Sequence, residues 1–253
     1  MKLTFLGTGT SQGVPVIACD CEVCQSVDFH DKRLRSSVHI EVDGLSLVID
    51  TGPDFRQQML RERIKRLDAV IFTHEHKDHT AGLDDIRSFN FLQQMDMPVY
   101  ASTAVITQLK REFSYIFADH KYPGVPLVDV KLLDGNPFII GQTTITPINV
   151  MHFKLPVFGF RIGDFTYITD ANYISEEEKE KIKGSKVLVL NALQKAPHIS
   201  HFTLDEAVAL AQELKADQTY FTHISHKLGS HRDVSAQLPE NIYLAYDGQQ
   251  LTL

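Results

Sequence analysis

The stretch that decides the fold reads His74-Glu75-His76-Lys77-Asp78-His79, and it directly follows an apolar run at residues 69–73. Four potential metal ligands, three imidazoles and a carboxylate, fall within these six residues. Such groups bind zinc, iron or manganese, and a turn after a strand can direct alternate side chains to two neighbouring ions. The stretch therefore predicts a metal site at the end of a strand. The alternative is a solvated polar loop whose histidines coincide by chance.

Length and composition are those of an ordinary globular protein. The chain has 253 residues, of which 43% are hydrophobic, enough for the core of one large domain. No apolar run approaches the roughly 20 residues that cross a bilayer, and residues 1–7 turn polar too early for a secretory signal. We therefore expect a cytoplasmic protein without a membrane partner. The formal net charge of −7 argues against a surface that coats nucleic acid.

Short strand-like runs alternate with helical patterns along the chain. The predicted strands are residues 3–6, 38–42, 45–50, 69–73, 143–150, 158–162, 165–170, 187–190 and 219–222. The predicted helices include residues 83–92, 103–113 and 204–214. Ser175 and Thr203 each stand three residues before a glutamate, which is the spacing of a capping box at a helix start. Strands interspersed with helices in this way predict a layered α/β architecture.

Two internal similarities predict a duplicated fold. Residues 68–74 and 217–223 each read as a strand that ends in Thr-His. Residues 41–50 and 161–170 each read as a tight turn followed by a strand that ends in Asp. Repeated units in both halves indicate that polar strand ends converge on one edge of the fold. Chance similarity between short strands is the alternative.

Two metal sites need more ligands than the opening stretch supplies. His74 and His76 are two residues apart, so in an extended segment they face the same side and can bind one ion. Asp78 and His79 then face a neighbouring position. Further ligand types stand at three predicted strand ends: His152, Asp170 and His223. A single histidine is more often packed or solvated than a ligand, but the shared position at strand ends favours two ions roughly 3.5 to 4 Å apart.

The motif His74-x-His76-x-Asp78-His79 resembles the H-x-H-x-D-H motif of the metallo-β-lactamase superfamily, and the likeness covers essentially the whole chain. The resemblance implies a metal-dependent hydrolase with a single domain over residues 1–253, folded as a four-layer αββα sandwich. It also implies roles for individual residues. One ion would be held by His74, His76 and His152, the second by Asp78, His79 and His223, and Asp170 would bridge the two.

Two other residue patterns refine this resemblance. Asp50 matches an early aspartate of the superfamily, which usually supports the metal loop without binding metal itself. Metallo-β-lactamases proper commonly use a cysteine as a ligand of the second ion, whereas here no cysteine follows Cys24. That difference argues against lactam hydrolysis.

The three cysteines of the chain, Cys19, Cys21 and Cys24, lie within one short loop at about residues 19–24. In a cytosolic protein, such clustering and an odd count favour metal binding over a disulfide. Three thiolates need one more ligand for tetrahedral zinc, and we expect His226 to supply it, with His30 as the competitor. The alternative is three reduced thiols without a metal.

The cysteine loop, the pair His223 and His226, and His201 before the helix at 204–214 together resemble one branch of the superfamily. That branch contains the phosphoribosyl 1,2-cyclic phosphate phosphodiesterases and is akin to the tRNA 3′-processing endonucleases. The resemblance implies that His201 is a general acid at the scissile phosphate and that Asp78 also belongs to the catalytic residues. His198 is the alternative acid, since it lies three residues earlier.

The predicted function is hydrolysis of a small cyclic phosphate or nucleotide-like phosphodiester by a hydroxide that bridges two metal ions, with a histidine as general acid. The ligand types do not distinguish Zn²⁺ from Mn²⁺ at the paired site, and one structural Zn²⁺ is expected at the cysteines. A tRNA 3′-end endoribonuclease is an alternative, although no projecting arm or basic cluster is evident. The others are a glyoxalase-type thioester hydrolase and a non-catalytic binding module. Family members often form homodimers.

Overall fold

The computed structural model describes residues 1–253, which form two mixed β-sheets with helices on their outer faces. The strands are β1 Lys2–Gly7, β2 Ser37–Val42, β3 Leu45–Ile49, β4 Ala69–Ile71, β5 Met97–Ala101, β6 Val128–Leu132, β7 Phe138–Ile140, β8 Thr143–His152, β9 Leu155–Ile162, β10 Phe165–Tyr167, β11 Tyr173–Ile174, β12 Val187–Asn191, β13 Gln218–Thr222, β14 Ile242–Leu244 and β15 Gln250–Thr252. The helices are α1 Glu22–Gln25, α2 Phe55–Glu62, α3 Lys77–Thr80, α4 Arg87–Gln93, α5 Thr103–Glu112, α6 Glu176–Ile182, α7 Leu204–Leu214 and α8 His231–Ser235. None of these helices combines the length and apolar character needed to span a membrane.

The two sheets repeat one series of strand directions. In the first sheet the order is β15-β1-β2-β3-β4-β5-β6, with β1, β2 and β3 antiparallel and β3 to β6 parallel. In the second sheet β8, β9 and β10 are antiparallel, and β10, β12, β13 and β14 are parallel. β11 and β7 pair with β8 outside this series. The predicted internal duplication is therefore confirmed in the topology.

Only one of the two sequence similarities lies at equivalent positions of this duplication. The hairpin β2–β3 corresponds to the hairpin β9–β10, in agreement with the similarity between residues 41–50 and 161–170. By contrast, β4 is the first parallel strand after its hairpin, whereas β13 is the second after its own. The shared Thr-His ending of these strands therefore reflects a common need for a buried strand that ends in a histidine, and not an equivalent position.

Three apolar layers hold the two sheets and the helices together. Between the sheets, Phe5, Ile40 and Ile71 of the first sheet pack with Phe160 and Val189 of the second. Outside the first sheet, side chains of α2, α4 and α5 cover the opposite faces of the strands. Outside the second sheet, α6, α7 and α8 do the same. Alternate side chains of each strand thus enter different layers, and the predicted four-layer αββα sandwich is confirmed.

The helix starts agree with the capping predictions to different degrees. Thr203 accepts from the backbone of Glu206, whose carboxylate accepts in return from the Thr203 backbone, so α7 begins with a complete capping box. Ser175 also caps α6, but Glu178 instead accepts from Asn149 and Lys181. The predicted helix at residues 83–92 begins with a 3₁₀ turn, Leu83–Ile86, before α4.

Polar residues leave the strands at the same edge of the sandwich. Asp50 follows β3, His152 ends β8, Asp170 comes shortly after β10, and His223 follows β13. Three of them, Asp50, Asp170 and His223, have left-handed backbone with φ of +65°, +55° and +56°. Residues with a side chain rarely adopt this conformation, and it ends the strand while turning the side chain sideways. The sandwich therefore collects these residues at one edge at a cost in backbone strain.

Stability toward acid depends on a histidine far from that edge. His39 is only 5% exposed, and its Nε2 lies 2.8 Å from Ser46 Oγ. Burial lowers the pKa of His39 from 6.5 to about 4. Below pH 6.5, His39 is protonated in the unfolded chain, whereas in the folded protein it stays neutral until the pH reaches about 4. The free energy of unfolding therefore decreases as the pH falls through this window.

We expect His39→Gln to lose less stability than the wild type between pH 6.5 and 4, by about 2 to 3 kcal/mol at the acid end. Urea denaturation at several pH values measures this difference. The exposed His120 supplies the control, because His120→Gln should follow the wild-type pH dependence. Equal acid sensitivity of His39→Gln and the wild type would show that His39 does not cause the loss.

Candidate metal centre

The buried carboxylate of Asp50 organises the loop after β4. Asp50 is fully buried, and it accepts hydrogen bonds from the Thr73 backbone N–H at 2.9 Å and from the Thr73 hydroxyl at 2.8 Å. His79 Nδ1 donates to the same carboxylate at 2.7 Å. Because the Thr73 hydroxyl proton goes to Asp50, Nδ1 of His74 is the donor in its 2.9 Å contact with Thr73 Oγ1. Asp50 thereby fixes one imidazole directly and another through Thr73, as predicted for a residue that supports the ligands.

These hydrogen bonds leave the Nε2 atoms of both imidazoles without a partner. Nε2 of His74 and Nε2 of His79 are buried and make no hydrogen bond. Nε2 of His79 lies 3.2 Å from Asp78 and 3.4 Å from Asp170, but the groups are not aligned for hydrogen bonding. Buried polar atoms in proteins are almost always paired. Unpaired nitrogens that face carboxylates at these distances are typical of ligands around a cation.

The site residues converge on Asp170. Three groups of ligand atoms lie within 4.8 Å of one another: Asp78, His79, Asp170 and His223; His74, His76 and Asp170; and His152, Asp170 and His201. The His152 ring also lies 5.2 Å from the ring of His76, which joins the last two groups. Asp170 is common to all three groups. The structure thus brings together every residue that the sequence predicted for the paired site.

Hydrogen bonding also fixes the orientation of His152. Its Nδ1 lies 2.8 Å from the Ser200 carbonyl, which can only accept, so Nδ1 carries the proton and Nε2 is the free nitrogen. The loop that contains Ser200 also places the ring of His201 at 4.5 Å from that of His152 and at 4.9 Å from that of His223. His198 is exposed, with its ring 5.1 Å from His201, and belongs to none of the ligand groups.

The electrostatics of the cluster favour a bound cation. Burial alone would lower the pKa of His79, but Asp170, Asp78 and Asp50 outweigh it and raise that pKa well above its usual value. Burial likewise opposes ionisation of Asp170, yet His223 and His79 lower its pKa well below the ordinary range. The carboxylates therefore favour a positive charge at the centre of the cluster. A divalent cation supplies such a charge more effectively than a proton, so the donor set fits a metal.

Burial acts differently on the outer histidines. Burial is the main reason that the pKa of His201 falls to about 3, so this imidazole is neutral at pH 7 in the free protein. Burial also lowers the pKa of His152. Neutral imidazole is the form that binds metal or donates a single N–H. A role of His201 as an acid therefore requires the charge of a bound phosphate to raise its pKa.

A second cluster joins the three cysteines to His226. Nδ1 of His226 lies 3.3 Å from the sulfurs of Cys19 and Cys21 and 3.5 Å from that of Cys24. A single N–H cannot donate to three sulfurs at once, whereas nitrogen and sulfur ligands of one tetrahedral zinc lie roughly 3.5 Å apart. Hydrogen bonds from the Cys24 backbone and from His226 lower the pKa of Cys21 to about 6, which favours the thiolate. The geometry fits zinc.

The competitor for this cluster, His30, is engaged elsewhere. Its Nδ1 lies 2.7 Å from Asp28, and its ring stacks on His231. The cluster with His226 also ties the N-terminal loop to the end of β13, where Thr10 N–H donates to the Ile224 carbonyl at 3.1 Å. The cysteine cluster therefore holds the N-terminal loop against the segment that follows β13, beside His223.

The sequence did not reveal three residues that shape the metal centre. The Thr73 hydroxyl donates to Asp50 and accepts from His74, so it links the two residues. Asn191 both donates to and accepts from the backbone of Ala171. Thr10 Oγ1 lies 3.3 Å from His223 Nε2. Threonine and asparagine are common at strand ends for many reasons. Only the polar residue Asn191 at the end of the apolar strand β12 could have served as a signal.

We expect Asp50→Asn to lose both stability and metal affinity, because an amide NH₂ would face the Thr73 hydroxyl and His79 Nδ1, which are donors. The loss of unfolding free energy should be about 1 to 3 kcal/mol. Urea denaturation and a zinc titration measure the two effects. Asp164, an exposed carboxylate paired with Lys186, serves as the matched control for Asp→Asn. Wild-type zinc affinity in Asp50→Asn would contradict the organising role.

Comparison with known proteins supports the same conclusion. A family model described as the β-lactamase superfamily domain matches residues 46–224. The crystal structure of a new diphosphatase from the PhnP family is 43% identical and superposes with a TM-score of 0.93, covering 100% of this chain and 97% of that one. The short form of human tRNase Z, at 19% identity, shares the fold with a TM-score of 0.74 over 100% of this chain and 99% of its own.

Curated relatives extend beyond the chain. An octanoyltransferase of Porphyromonas gingivalis is 38% identical over 251 residues, which are 98% of this chain and 51% of that protein. A ribonuclease Z of Bradyrhizobium sp. is 29% identical over 163 residues, which are 63% of this chain and 48% of that protein. The chain thus spans about half the length of these relatives.

The family match and the similarity to the PhnP-family diphosphatase confirm the resemblance carried by the H-x-H-x-D-H motif and the cysteine loop. The expectation of a metal-dependent hydrolase is confirmed at the level of the family. The chain therefore belongs to the metallo-β-lactamase superfamily of metal-dependent hydrolases, in the branch related to the PhnP family and to the tRNA 3′-processing ribonucleases.

Proposed function

We propose that the protein is a phosphodiesterase that uses two divalent metal ions to hydrolyse a small cyclic phosphate or a nucleotide-like phosphodiester. The observation that carries this proposal is the convergence of six other ligand residues on the buried carboxylate of Asp170, with unpaired nitrogens facing inward. The similarity to a PhnP-family diphosphatase and to ribonucleases Z supports phosphoester chemistry. Residues 1–253 act as one catalytic domain, and a homodimer stays a prediction of the family resemblance.

The ligands divide into two sets around Asp170. One ion would be held by His74, His76 and His152, and the second by Asp78, His79 and His223. Asp170, whose carboxylate lies within reach of both sets, would contribute to both. Imidazole and carboxylate donors suit Zn²⁺ and Mn²⁺ alike.

The chain's own residues orient the substrate and handle its protons. When bound, a metal pair supplies an activated water and neutralises charge on the phosphoryl oxygens. Asp50 keeps the His74 and His79 imidazoles in the orientation that a compact phosphate site requires. His201 lies against His152 and His223 at the edge of the cluster, where its ring can reach the departing oxygen. The negative phosphate raises the low pKa of this imidazole, so the proton is available when the ester bond breaks.

The cysteine cluster, Cys19, Cys21, Cys24 and His226, binds one structural zinc ion in this proposal. Its role is to hold the N-terminal loop against the segment that carries His223. Such a site contributes directly to folding, since the zinc binds only to the assembled cluster.

A tRNA 3′-end endoribonuclease is the second candidate, and the ribonuclease Z relatives favour it. The net charge of −7 argues against an extended contact with RNA. A precursor tRNA offered to the metal-loaded protein separates the two proposals, since 3′-end cleavage would support the nuclease.

We expect His201→Ala to slow hydrolysis of bis(p-nitrophenyl) phosphate by a factor of about 10² to 10⁴ while it retains its metal, because a proton donor and not a ligand is lost. Kinetics and elemental analysis of the same sample measure both properties. His198→Ala is the matched control and should stay near the wild-type rate. Asp170→Ala should lose metal as well as activity. Loss of metal from His201→Ala would instead make His201 a ligand, and wild-type turnover would exclude its proposed role.

We expect Cys24→Ser to bind one zinc ion fewer per chain than the wild type and to melt at a lower temperature, because the buried Cys24 sulfur would be one of the four ligands of the tetrahedral site. Elemental analysis and thermal denaturation measure these changes. His30→Gln should keep the full zinc content. If His30→Gln lost zinc and His226→Gln did not, the assignment of the fourth ligand would be reversed.

A further inference from the structure

A cleft of about 450 Å³ opens beside the metal centre. Its wall includes the predicted ligands His76 and His152 together with the apolar side chains of Phe153 and Ile199. A substrate that reaches the ligands through this cleft therefore passes these apolar groups. The cleft is continuous with the site of the proposed chemistry.

Phe153 is exposed and has a strained backbone, so neither its burial nor its conformation explains a phenylalanine at this position. It follows the predicted ligand His152 at the tip of the β8–β9 hairpin, and 48% of its surface is exposed. Its backbone is left-handed, with φ of +56°, which glycine adopts without steric cost and a bulky side chain adopts only with strain. A turn of this kind ordinarily selects glycine or asparagine. A phenylalanine here exposes an aromatic ring at the site and strains the turn.

Hydrogen bonds connect the Phe153 turn and the loop at Ile199 to the segment that carries the predicted ligand His152. The Phe153 N–H donates to Asn172 Oδ1 at 2.7 Å, and Asn172 Nδ2 donates to the Ile199 carbonyl at 3.2 Å. His152 Nδ1 donates to the neighbouring Ser200 carbonyl at 2.8 Å. The hairpin tip and the loop at Ile199, which is 65% exposed, are thus held at a fixed separation across the cleft.

The charge at the rim matches a phosphate ester. The ammonium of Lys154 lies over one face of the Phe153 ring, 5.3 Å from its centre. A flat aromatic face with a neighbouring cation suits a substrate that combines a planar ring with negative charge. A plain sugar phosphate would use the cation but leave the aromatic face unoccupied.

We propose that Phe153 and Ile199 form a binding platform for the aromatic base of the substrate, so that the enzyme acts on base-bearing, nucleotide-type phosphodiesters. This inference rests on the proposed phosphodiesterase function and narrows its substrate class. Phe153 determines specificity and takes no part in bond cleavage.

Adenosine 5′-monophosphate and ribose 5-phosphate test the platform, because they share ribose and phosphate, and the nucleotide carries a base where the sugar phosphate carries a hydroxyl. Binding of each to the metal-loaded protein is measured by isothermal titration calorimetry. We expect the wild type to bind the nucleotide at least about tenfold more tightly, in the range of base stacking on an aromatic side chain. Phe153→Ala should lose this preference, whereas Phe153→Trp should keep it.

Two further variants separate recognition from folding. Phe153→Gly removes the ring and relieves the left-handed strain, so it should melt no lower than the wild type and still lose the preference for the nucleotide. Phe91→Ala removes an equally apolar ring that is 79% exposed on α4, away from the cleft, and should keep the preference.

Equal binding of the two ligands by the wild type, or an unchanged preference in Phe153→Ala, would overturn the platform. Absence of binding by either ligand would overturn it as well. An assay of bis(p-nitrophenyl) phosphate hydrolysis with the same wild-type sample distinguishes failure of the phosphodiesterase function from failure of the base-binding platform. Without hydrolysis the proposed function fails, whereas hydrolysis without base preference refutes the platform alone.

Discussion

The rest of the site depends on the hydrogen bonds that the buried Asp50 carboxylate accepts. They bind the end of β3 to the loop after β4, and they set which nitrogen of His74 and of His79 carries a proton. The opposite nitrogens are buried without a hydrogen-bond partner, which leaves them free to bind a cation. A carboxylate outside the ligand set therefore orients the ligands. The three hydrogen bonds that Asp50 accepts from Thr73 and His79 partly offset its desolvation, which still raises its pKa above the usual value.

The duplicated sandwich explains how distant parts of the chain meet at this centre. Each sheet ends a hairpin with an aspartate in left-handed backbone: Asp50 in the first and Asp170 in the second. The two equivalent positions have different functions, since Asp50 orients ligands and Asp170 lies among them. The cysteine cluster then ties the N-terminal loop beside His223, so both halves of the chain are fixed around one edge.

The sequence predicted much of this arrangement because ligand chemistry and strand ends leave local patterns. The spacing of His74, His76, Asp78 and His79, and the polar residues at later strand ends, predicted the residues that the structure brings together around Asp170. The hydrogen bonds of Thr73 and Asn172 were not predictable, since they join groups whose proximity depends on packing. The strain at Phe153 was also hidden, because a phenylalanine after a strand gives no indication of left-handed backbone. The similarity of residues 68–74 to 217–223 was misleading because any buried strand with a terminal histidine satisfies it.

The central claim is that two metal ions share Asp170. Anomalous X-ray diffraction from crystals of the zinc-loaded protein, recorded above and below the zinc absorption edge, tests it most directly. The account predicts two peaks roughly 3.5 to 4 Å apart on either side of the Asp170 carboxylate, and a third peak among Cys19, Cys21, Cys24 and His226. A single peak at the histidine cluster, or a pair that does not contact Asp170, would contradict it.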